Sequence, residues 1–315
     1  MNELVRGITV VNKPHCARTV VVDASKGCTN SCHYCFDLKW APLREATYKR
    51  CGGETPLSID YVRAQLSGRS KLKDYLNTYK VVRIGAMCDI RRGDSESYDN
   101  TRNLMQLLWG AGYHYMLVTK SCHSIDDDFL GDIRRHEGLL SVTIGYNSNK
   151  SGALFEDMAT TPIDGRKDLL GRAIAKGVRT TLRINPMHPD YMDDVFGVTE
   201  WFKSVGGERI IFETLRISAG WQKYMPKVDF SKYVGTGRGG YYSGYLTPNR
   251  ELGTLMCGMA TSYARRIGIE KVTVCADPSS NEKFGYKHGE MDCCHGTEIW
   301  PVPLPVIGPN GYAVI

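Results

Sequence analysis

The sequence predicts an α/β fold, a partial (β/α)6 TIM-type barrel followed by a C-terminal extension. Two observations lead to this prediction: β-branched segments alternate with segments of helical periodicity, and glycines occur where the helices should end. Such alternation favours βα units that build a parallel sheet. In barrels of this type the reactive groups lie at the carboxyl ends of the strands. We therefore expect the functional residues directly after the predicted strands.

Six segments have the β-branched composition of short buried strands, and five have helical spacing of apolar residues. The predicted strands are Thr19–Val22, Val81–Ile84, Tyr115–Thr119, Ser141–Ile144, Thr180–Ile184 and Arg209–Phe212. The predicted helices are Ile59–Leu66, Thr101–Leu108, Asp127–Arg135, Arg166–Ala175 and Asp193–Lys203. Gly112 and Gly177 each precede a strand, as helix-ending glycines do.

The pattern changes after Phe212, so we expect the barrel in residues 1–215 and the extension in residues 216–315. The extension should contain a flap rich in Gly, Tyr and Lys, then a helix, a strand and a tail along the surface. These are residues 217–247, Asn249–Arg266, Val272–Cys275 and the segment from Trp300.

The composition is that of an ordinary globular protein, with 42% hydrophobic and 23% charged residues in 315. No segment approaches the roughly 18 apolar residues of a membrane helix, and the N-terminus lacks signal-peptide features. We expect the protein in the cytoplasm, which for a phage-encoded protein is the cytoplasm of the host. We expect no membrane partner. A net charge of +6 fits an anionic partner without requiring one.

Eleven cysteines are many for a chain expected in a reducing compartment. Cys28, Cys32 and Cys35 follow the first predicted strand with the spacing Cys-x3-Cys-x2-Cys. Three thiolates on one loop can bind three irons of a [4Fe–4S] cluster and leave the fourth iron open. The alternatives are a zinc loop, which requires a fourth ligand, or three packed cysteines. Spacing and position favour the cluster.

This loop, with Tyr34 before its last cysteine, resembles the signature of the radical S-adenosylmethionine (SAM) superfamily. Four later segments, in order, resemble the spore photoproduct lyase-like branch: Ile84–Asp89, Leu117–Ser121, Phe155–Ala159 with Arg166, and Arg183–Pro189. The resemblance implies a radical SAM barrel whose [4Fe–4S] cluster cleaves SAM reductively to a 5′-deoxyadenosyl radical. Gly85-Ala86-Met87 stands where many members have Gly-Gly-Glu.

The resemblance also implies roles for individual residues. Cofactor binding is expected of Asp89, Lys120, Thr143, Arg183 and Asn185. Lys120 and Arg183 could each pair with the SAM carboxylate or with a substrate phosphate. The simpler alternatives are that Lys120 is solvated at a strand end and that Arg183 forms a salt bridge to a neighbouring helix.

Two residues are expected to take part in catalysis. Cys88 corresponds approximately to a cysteine that donates a hydrogen atom to the product radical, although a small buried hydrophobic side chain is the alternative. Tyr34 is expected to pack on the cluster or on the adenine of SAM.

Four cysteines beyond the barrel form a candidate second metal site: Cys257, Cys275, Cys293 and Cys294. They would bind an auxiliary iron–sulfur cluster or a zinc ion. The alternative for Cys257, flanked by Met256 and Met259 in a predicted helix, is a place in the core.

Three functions follow from these features. The first is an isomerase- or lyase-type radical SAM reaction on a nucleobase or nucleotide, for instance a modified thymine in DNA, with an external electron donor such as flavodoxin. The tyrosines and lysines of the flap would then stack bases and contact phosphates. The second is radical modification of a peptide or small metabolite, aided by an auxiliary cluster. The third is a non-catalytic metal-binding nucleic-acid module.

Overall fold

The structure is a computed structural model. It describes residues 7–10, 20–26, 28, 30, 32–35, 55–86, 88–90, 95–122, 125–157, 162–235, 244–275 and 294–303. No helix among these residues is both long enough and apolar enough to cross a membrane.

Eight strands form one sheet around which the structure is built. The strands of the chain are β1 (Thr9–Val10), β2 (Val20–Val22), β3 (Ser25–Lys26), β4 (Thr55–Pro56), β5 (Val81–Ile84), β6 (His114–Thr119), β7 (Leu139–Thr143), β8 (Arg179–Met187), β9 (Arg209–Thr214), β10 (Ile217–Ser218), β11 (Tyr233–Gly235), β12 (Tyr245–Pro248) and β13 (Lys271–Val274). The large sheet has the order β1-β2-β5-β6-β7-β8-β9-β13. Its neighbours are parallel except for the β1–β2 pair.

The six predicted strands are confirmed as β2 and β5 to β9, and they form an open parallel sheet of the partial-barrel kind. Beyond them, β13 pairs in parallel with β9. The segment assigned to the extension therefore adds a seventh parallel strand to the barrel sheet. Residue 215, the predicted domain boundary, lies between two strands of one sheet.

Helices cover the outer face of this sheet. They are α1 (Ile59–Ser67), α2 (Lys71–Tyr79), α3 (Ser95–Gly110), α4 (Asp127–Arg135), α5 (Asn149–Gly152), α6 (Ile163–Ala175), α7 (Met192–Ser204) and α8 (Arg250–Arg266). The short helix α9 (Gly296–Ile299) instead packs with Trp300 on the opposite face. The predicted helices are all present. In α4, Asp126 caps the helix by accepting from the Phe129 N–H at 2.8 Å, and arginines end it, as the helix dipole favours.

The two faces of the sheet carry different residues because successive side chains alternate in direction. Apolar residues such as Val82, Ile84 and Leu117 belong to the core beneath the helices. The intervening positions on the inner face are partly polar and include Arg83 and Arg183. The site is thus on the inner face.

The C-terminal segment packs against the same sheet near the amino ends of its strands. Trp300 is 1% exposed, packs in one apolar cluster with Val81, Met116 and Leu139, and donates from Nε1 to the carbonyl of Glu137 at 3.2 Å. The prediction that this segment follows the surface is therefore wrong for Trp300. Residues beyond 303 lie outside the described residues.

The predicted flap is an ordered subdomain where it is described. Strands β10, β12 and β11 form a three-stranded antiparallel sheet, and Trp221–Tyr224 form a 3-10 turn. Ile217 and Met225 share an apolar cluster with Cys32 and Tyr34 of the cysteine loop. The flap therefore supports that loop. Residues 236–243, with Arg238, Tyr241 and Tyr242, lie outside the described residues.

Gly85, directly after β5, shows how tightly the strand ends pack. Its φ is +84°, and a Cβ atom there would lie 2.5 Å from the Val118 carbonyl oxygen. Gly112 has a similar φ of +80° but open space around it.

We expect Gly112→Ala to cost about 1–2 kcal/mol of unfolding free energy from backbone strain alone. Gly85→Ala should cost clearly more in urea unfolding, and equal losses would contradict the close approach.

Candidate active site

The cysteine loop opens into a cavity at the carboxyl ends of the strands. Cys28, Cys32 and Cys35 line this cavity, which has a volume of about 270 Å³. All five residues expected to bind the cofactor line it too: Asp89, Lys120, Thr143, Arg183 and Asn185. Cys88 and Tyr34 are also among the lining residues. The structure therefore gathers residues from the ends of five different strands around one space.

Three thiols on one loop have the donor chemistry of an iron–sulfur cluster. The Cys32 thiol interacts electrostatically with both Cys28 and Cys35, and burial raises the pKa of Cys28 and Cys32 to about 12. Within the described ranges no three His, Cys, Asp or Glu side chains are placed to hold one metal ion. Ligands of a cubane cluster bind different irons, whereas zinc ligands must meet at one point.

A buried carboxylate, Glu156, anchors the loop to the barrel. Lys120 Nζ lies 2.9 Å from its Oε1, Arg166 binds Oε2, and the Tyr34 hydroxyl donates to Oε1. Glu156 is 1% exposed and Arg166 is fully buried. Although burial itself favours the neutral carboxyl, the two cations lower its pKa to about 2. Glu156 is therefore ionised at neutral pH.

The same group reaches the ligand cysteines. Lys120 Nζ is 3.3 Å from Cys32 Sγ, Cys32 forms a backbone bridge with Glu156, and the His33 N–H donates to the Phe155 carbonyl at 2.8 Å. Burial raises the pKa of the Cys32 thiol, and Lys120 opposes that shift. A cation at this distance stabilises a thiolate, the form that binds iron. In the sequence, Glu156 and Arg166 are part of a segment that resembles the lyase-like branch, but no role for either residue could be predicted.

Asp89 ties together the cysteine loop and two strand ends. Its Oδ2 accepts from Asn30 Nδ2 at 2.8 Å and from the Lys120 N–H at 2.7 Å, and Thr119 Oγ1 donates to its Oδ1. The Ser121 N–H adds a longer contact of 3.3 Å. With its oxygens engaged by protein donors, Asp89 holds the loop in position. Its predicted role in SAM binding stays a prediction.

Cys88 lies beside the segment that leads into the cysteine loop. Its Sγ donates to the Ser25 carbonyl at 3.0 Å, and its N–H donates to Asp23 Oδ1 at 3.3 Å. Burial raises the pKa of this thiol well above its usual range. The side chain is therefore a protonated thiol that lines the cavity.

Further charged residues line the cavity, and of these only Arg183 was predicted from the sequence. Arg183 Nη1 donates to Glu213 Oε2 at 2.8 Å, and Arg216 Nη2 donates to Glu213 Oε1 at 2.5 Å. Arg83 acts electrostatically on the same carboxylate. The sequence gives one indication of these residues. The predicted buried strands Val81–Ile84 and Arg209–Phe212 each have a charged residue within them or directly after them, which is unusual for buried strands.

Three of the four C-terminal cysteines are among the described residues, and Cys257 is apart from the other two. Cys257 is fully buried in the core of the helical layer, whereas Cys275 lines the cavity. Cys294 Sγ accepts from Arg183 Nη2 at 3.6 Å, and Cys275 also hydrogen-bonds Arg183. Cys293 lies outside the described residues. The second metal site stays a prediction.

No protein-family model matches the sequence, and no curated protein matches it either. Solved structures do match. Spore photoproduct lyase complexed with a dinucleoside spore photoproduct is similar over 86% of this chain and 80% of its own, with 17% identity and a TM-score of 0.65. The chain has the radical SAM fold. A lyase variant with bound S-adenosylmethionine and the same lesion gives 18% identity, a TM-score of 0.64, and coverage of 82% and 76%.

Radical SAM proteins with other substrates share the fold less closely. SuiB of Streptococcus suis bound to its precursor peptide SuiA gives a TM-score of 0.52 with 9% identity. The match covers 90% of this chain and 54% of SuiB. The overall likeness therefore favours the lyase structures, and at these identities it establishes the fold alone.

The buried Glu156 group predicts that replacing either of two arginines of α6 has very different effects on the free energy of unfolding. Arg166→Met removes the partner of a buried carboxylate and should destabilise the protein by about 3–5 kcal/mol. Arg172→Met, six positions later in the same helix, breaks half-exposed pairs with Asp127 and Asp168. It should cost about 0–1 kcal/mol. Urea unfolding compares the two variants, and a loss near 1 kcal/mol for Arg166→Met would contradict a structural role for this group.

Proposed function

We propose that the protein is a radical SAM enzyme that abstracts hydrogen from a nucleobase or nucleotide, with rearrangement or cleavage to follow. The observation that carries this proposal is the meeting of Cys28, Cys32 and Cys35 with the Lys120–Glu156 ion pair at the cavity. The fold, shared with SAM-binding enzymes, supports it.

Cys28, Cys32 and Cys35 would hold the [4Fe–4S] cluster. When bound, that cluster supplies the electron that cleaves SAM and yields a 5′-deoxyadenosyl radical. The protein's own contribution is to fix the loop: Glu156 holds Lys120 beside Cys32, while Asp89 holds Asn30 and the end of β6. Tyr34, between Lys120 and Glu156, keeps both groups in place and packs next to the cysteines.

SAM would bind between this loop and the neighbouring strand ends. Thr143 and Asn185 line that part of the cavity, and the Thr143 carbonyl accepts from the fully buried Arg166 at 3.1 Å. Lys120 has its ammonium engaged by Glu156 and Cys32, so we assign it mainly to the loop rather than to the SAM carboxylate. An external donor, such as flavodoxin, would supply the electron.

A nucleobase substrate is supported by the lyase complexes with a dinucleoside lesion and by Tyr245. Tyr245 is 9% exposed and lines the cavity, where a phenol ring offers a stacking surface. Tyr233, another aromatic residue of the flap, stacks on His188 with ring centroids 5.6 Å apart. A thymine derivative is the base we favour.

Anaerobic reconstitution tests the class of enzyme. We expect about four irons per chain and formation of 5′-deoxyadenosine from SAM and dithionite. Cys28→Ala, Cys32→Ala and Cys35→Ala should each lose both the iron and the product. Cys122→Ala is the matched control, because Cys122 does not line the cavity. Zinc without iron, and no SAM cleavage, would favour the binding-module alternative.

Iron counting also addresses the peptide-modifying alternative. About eight irons per chain would support the auxiliary cluster that this alternative invokes. The described residues give it little support, because Cys257 is in the core and Cys275 and Cys294 contact Arg183.

Cys88 is our proposed hydrogen-atom donor to the product radical. Its thiol lines the cavity and is held by the Ser25 carbonyl. Cys88→Ala should therefore leave the formation of 5′-deoxyadenosine within about twofold of wild type while changing the product derived from the substrate. Mass spectrometry of the products in deuterated buffer checks this, because an exchangeable S–H carries deuterium into the product. Unchanged deuterium incorporation in Cys88→Ala would exclude Cys88 as the donor.

A further inference from the structure

A buried histidine, His188, lies where the flap packs on the barrel. It directly follows β8 and is fully buried. Its Nε2 atom is 2.9 Å from the carbonyl oxygen of Asp229, which belongs to the flap segment between β10 and β11. Its Nδ1 atom is 3.3 Å from the backbone nitrogen of Asp190, in the turn that follows β8. One ring thus connects the barrel to the flap through directional contacts.

These two contacts determine the protonation state of the ring. A carbonyl oxygen can only accept a hydrogen bond, so Nε2 of His188 carries the proton and donates to Asp229. A backbone N–H can only donate, so Nδ1 is unprotonated and accepts from Asp190. The histidine is therefore neutral in the docked flap. A second proton, on Nδ1, would face the Asp190 N–H and break that hydrogen bond.

Aromatic side chains from the flap and from the barrel enclose the ring of His188. On the flap side, Tyr233 stacks on it with ring centroids 5.6 Å apart, and Phe230 meets it edge-on at 6.0 Å. On the barrel side, the centroids of Phe155 and Tyr191 lie 5.9 Å and 5.6 Å away. Apolar packing alone is non-directional, whereas a stacked and hydrogen-bonded imidazole sets both the distance and the orientation of the flap.

Both sides of this contact lead to the candidate active site. The Phe155 carbonyl accepts from the N–H of His33 in the cysteine loop at 2.8 Å. In the flap, β11 begins with Tyr233 and pairs with β12, and β12 contributes Tyr245 to the lining of the cavity. A movement of the flap at His188 would therefore displace Tyr245 relative to the cysteine loop.

We propose that His188 is a positioning residue: its neutral ring docks the flap on the barrel and thereby holds Tyr245 at the cavity, in register with the cysteine loop. His188 is not one of the residues that line the cavity, so it acts through Tyr245 and not on the substrate itself. The consequence for substrate binding rests on the proposed function, whereas the docking of the flap does not.

The need for a neutral ring makes flap docking sensitive to pH. Burial lowers the pKa of His188 below its ordinary value of 6.5, against the opposite influence of Asp229 and of Asp190, whose Oδ2 is 3.8 Å from Nδ1. The phenols of Tyr191 and Tyr233 also face the ring, and burial raises the pKa of both, so they stay neutral. In an undocked flap the imidazole is in water and takes up a proton more readily. Docking is therefore complete above about pH 6.5 and weakens as the pH falls below that value.

Hydrogen–deuterium exchange of the full-length chain measures docking without any cofactor or substrate. The flap amides in residues 217–235 are compared between the wild type and two variants. His188→Phe keeps an aromatic ring but loses both hydrogen bonds. His188→Gln loses the ring, but its Nε2 can still donate to the Asp229 carbonyl.

His136→Phe is the matched control for these variants. His136 is also buried, stacks on Trp109 with ring centroids 4.5 Å apart, and hydrogen-bonds the Tyr115 hydroxyl at 2.9 Å. It lies at the end of α4 just before β7, so it is at the amino ends of the strands, away from the flap. Both Phe variants thus remove a hydrogen-bonded, stacked histidine from a buried site.

At about pH 7.5 we expect the flap amides to exchange about tenfold faster in His188→Phe than in the wild type, as for the loss of a buried hydrogen bond. His188→Gln should retain most of the protection, and His136→Phe should retain all of it. After correction for the intrinsic pH dependence of exchange, the wild-type flap should lose protection between about pH 6.5 and pH 5.5. Neither variant of His188 should show this loss.

The effect on the reaction should be a change in KM rather than in kcat. The concentrations of thymidine and of an oligothymidylate that half-stimulate 5′-deoxyadenosine formation should rise about tenfold in His188→Phe. The maximal rate should stay within about twofold of wild type, because the cysteine loop keeps its contacts with Glu156 and Asp89.

Four outcomes would overturn the inference. They are wild-type exchange of the flap in His188→Phe, a loss of protection at low pH that persists in His188→Phe, equal acceleration of the flap in His136→Phe, and a lower maximal rate in His188→Phe without a higher KM. If neither thymidine probe stimulates the wild-type enzyme, the proposed substrate is refuted, and the exchange measurements still decide the role of His188.

Discussion

The structure of the site depends on one buried ionised carboxylate. Glu156 is held between Arg166, which is fully buried, and Lys120, which reaches Cys32. A charge at this depth is tolerable only with partners in good geometry, because desolvation is costly. The positions of α6, of the end of β6 and of the cysteine loop are thereby linked. A displacement of any one of them would leave a charge unpaired.

This constraint explains how a loop with little regular structure can present three cysteines reliably. The backbone bridge between Cys32 and Glu156 and the apolar contacts to the flap act on the same short segment. On its other side, Asp89 binds Asn30 and the β6 end through hydrogen bonds to both of its oxygens. The described residues of the loop are therefore held by contacts within the protein, which would lower the entropic cost of binding a cofactor there.

Much of the fold was predictable because parallel βα units have a strong local pattern. Helix α4, for example, has an aspartate cap, acidic residues in its first turn and arginines in its last, so its predicted bounds are confirmed without change. Helix α2 was missed although Leu72, Tyr75, Leu76 and Tyr79 have helical spacing, since the stretch is short and mostly polar. The place of β13 in the barrel sheet depends on pairing with β9, a long-range contact that local pattern does not encode.

Some residues of the site could likewise be predicted from a local pattern, whereas others depend on contacts that are distant in sequence. The spacing of Cys28, Cys32 and Cys35 is a local signal, and it predicted the chemistry expected at the rim. The partners of Lys120 and Arg183 are far away in sequence, so their roles as strand-end cations could be suggested but not resolved. Lys120 pairs with Glu156 next to the cysteines, whereas Arg183 pairs with Glu213.

These two cations, which look equivalent at the ends of two predicted strands, thus belong to different groups that line one cavity. On the Lys120 side, Glu156 has two cationic partners, Lys120 and Arg166, and Lys120 also lies next to the Cys32 thiol. On the Arg183 side, Arg183 and Arg216 share the carboxylate of Glu213, on which Arg83 also acts electrostatically. The two strand-end cations therefore serve different neighbours: Lys120 holds the cysteine loop, and Arg183 holds Glu213 at the end of β9. A local sequence pattern cannot separate these two roles, because each is decided by a partner that lies 30 or more residues away along the chain.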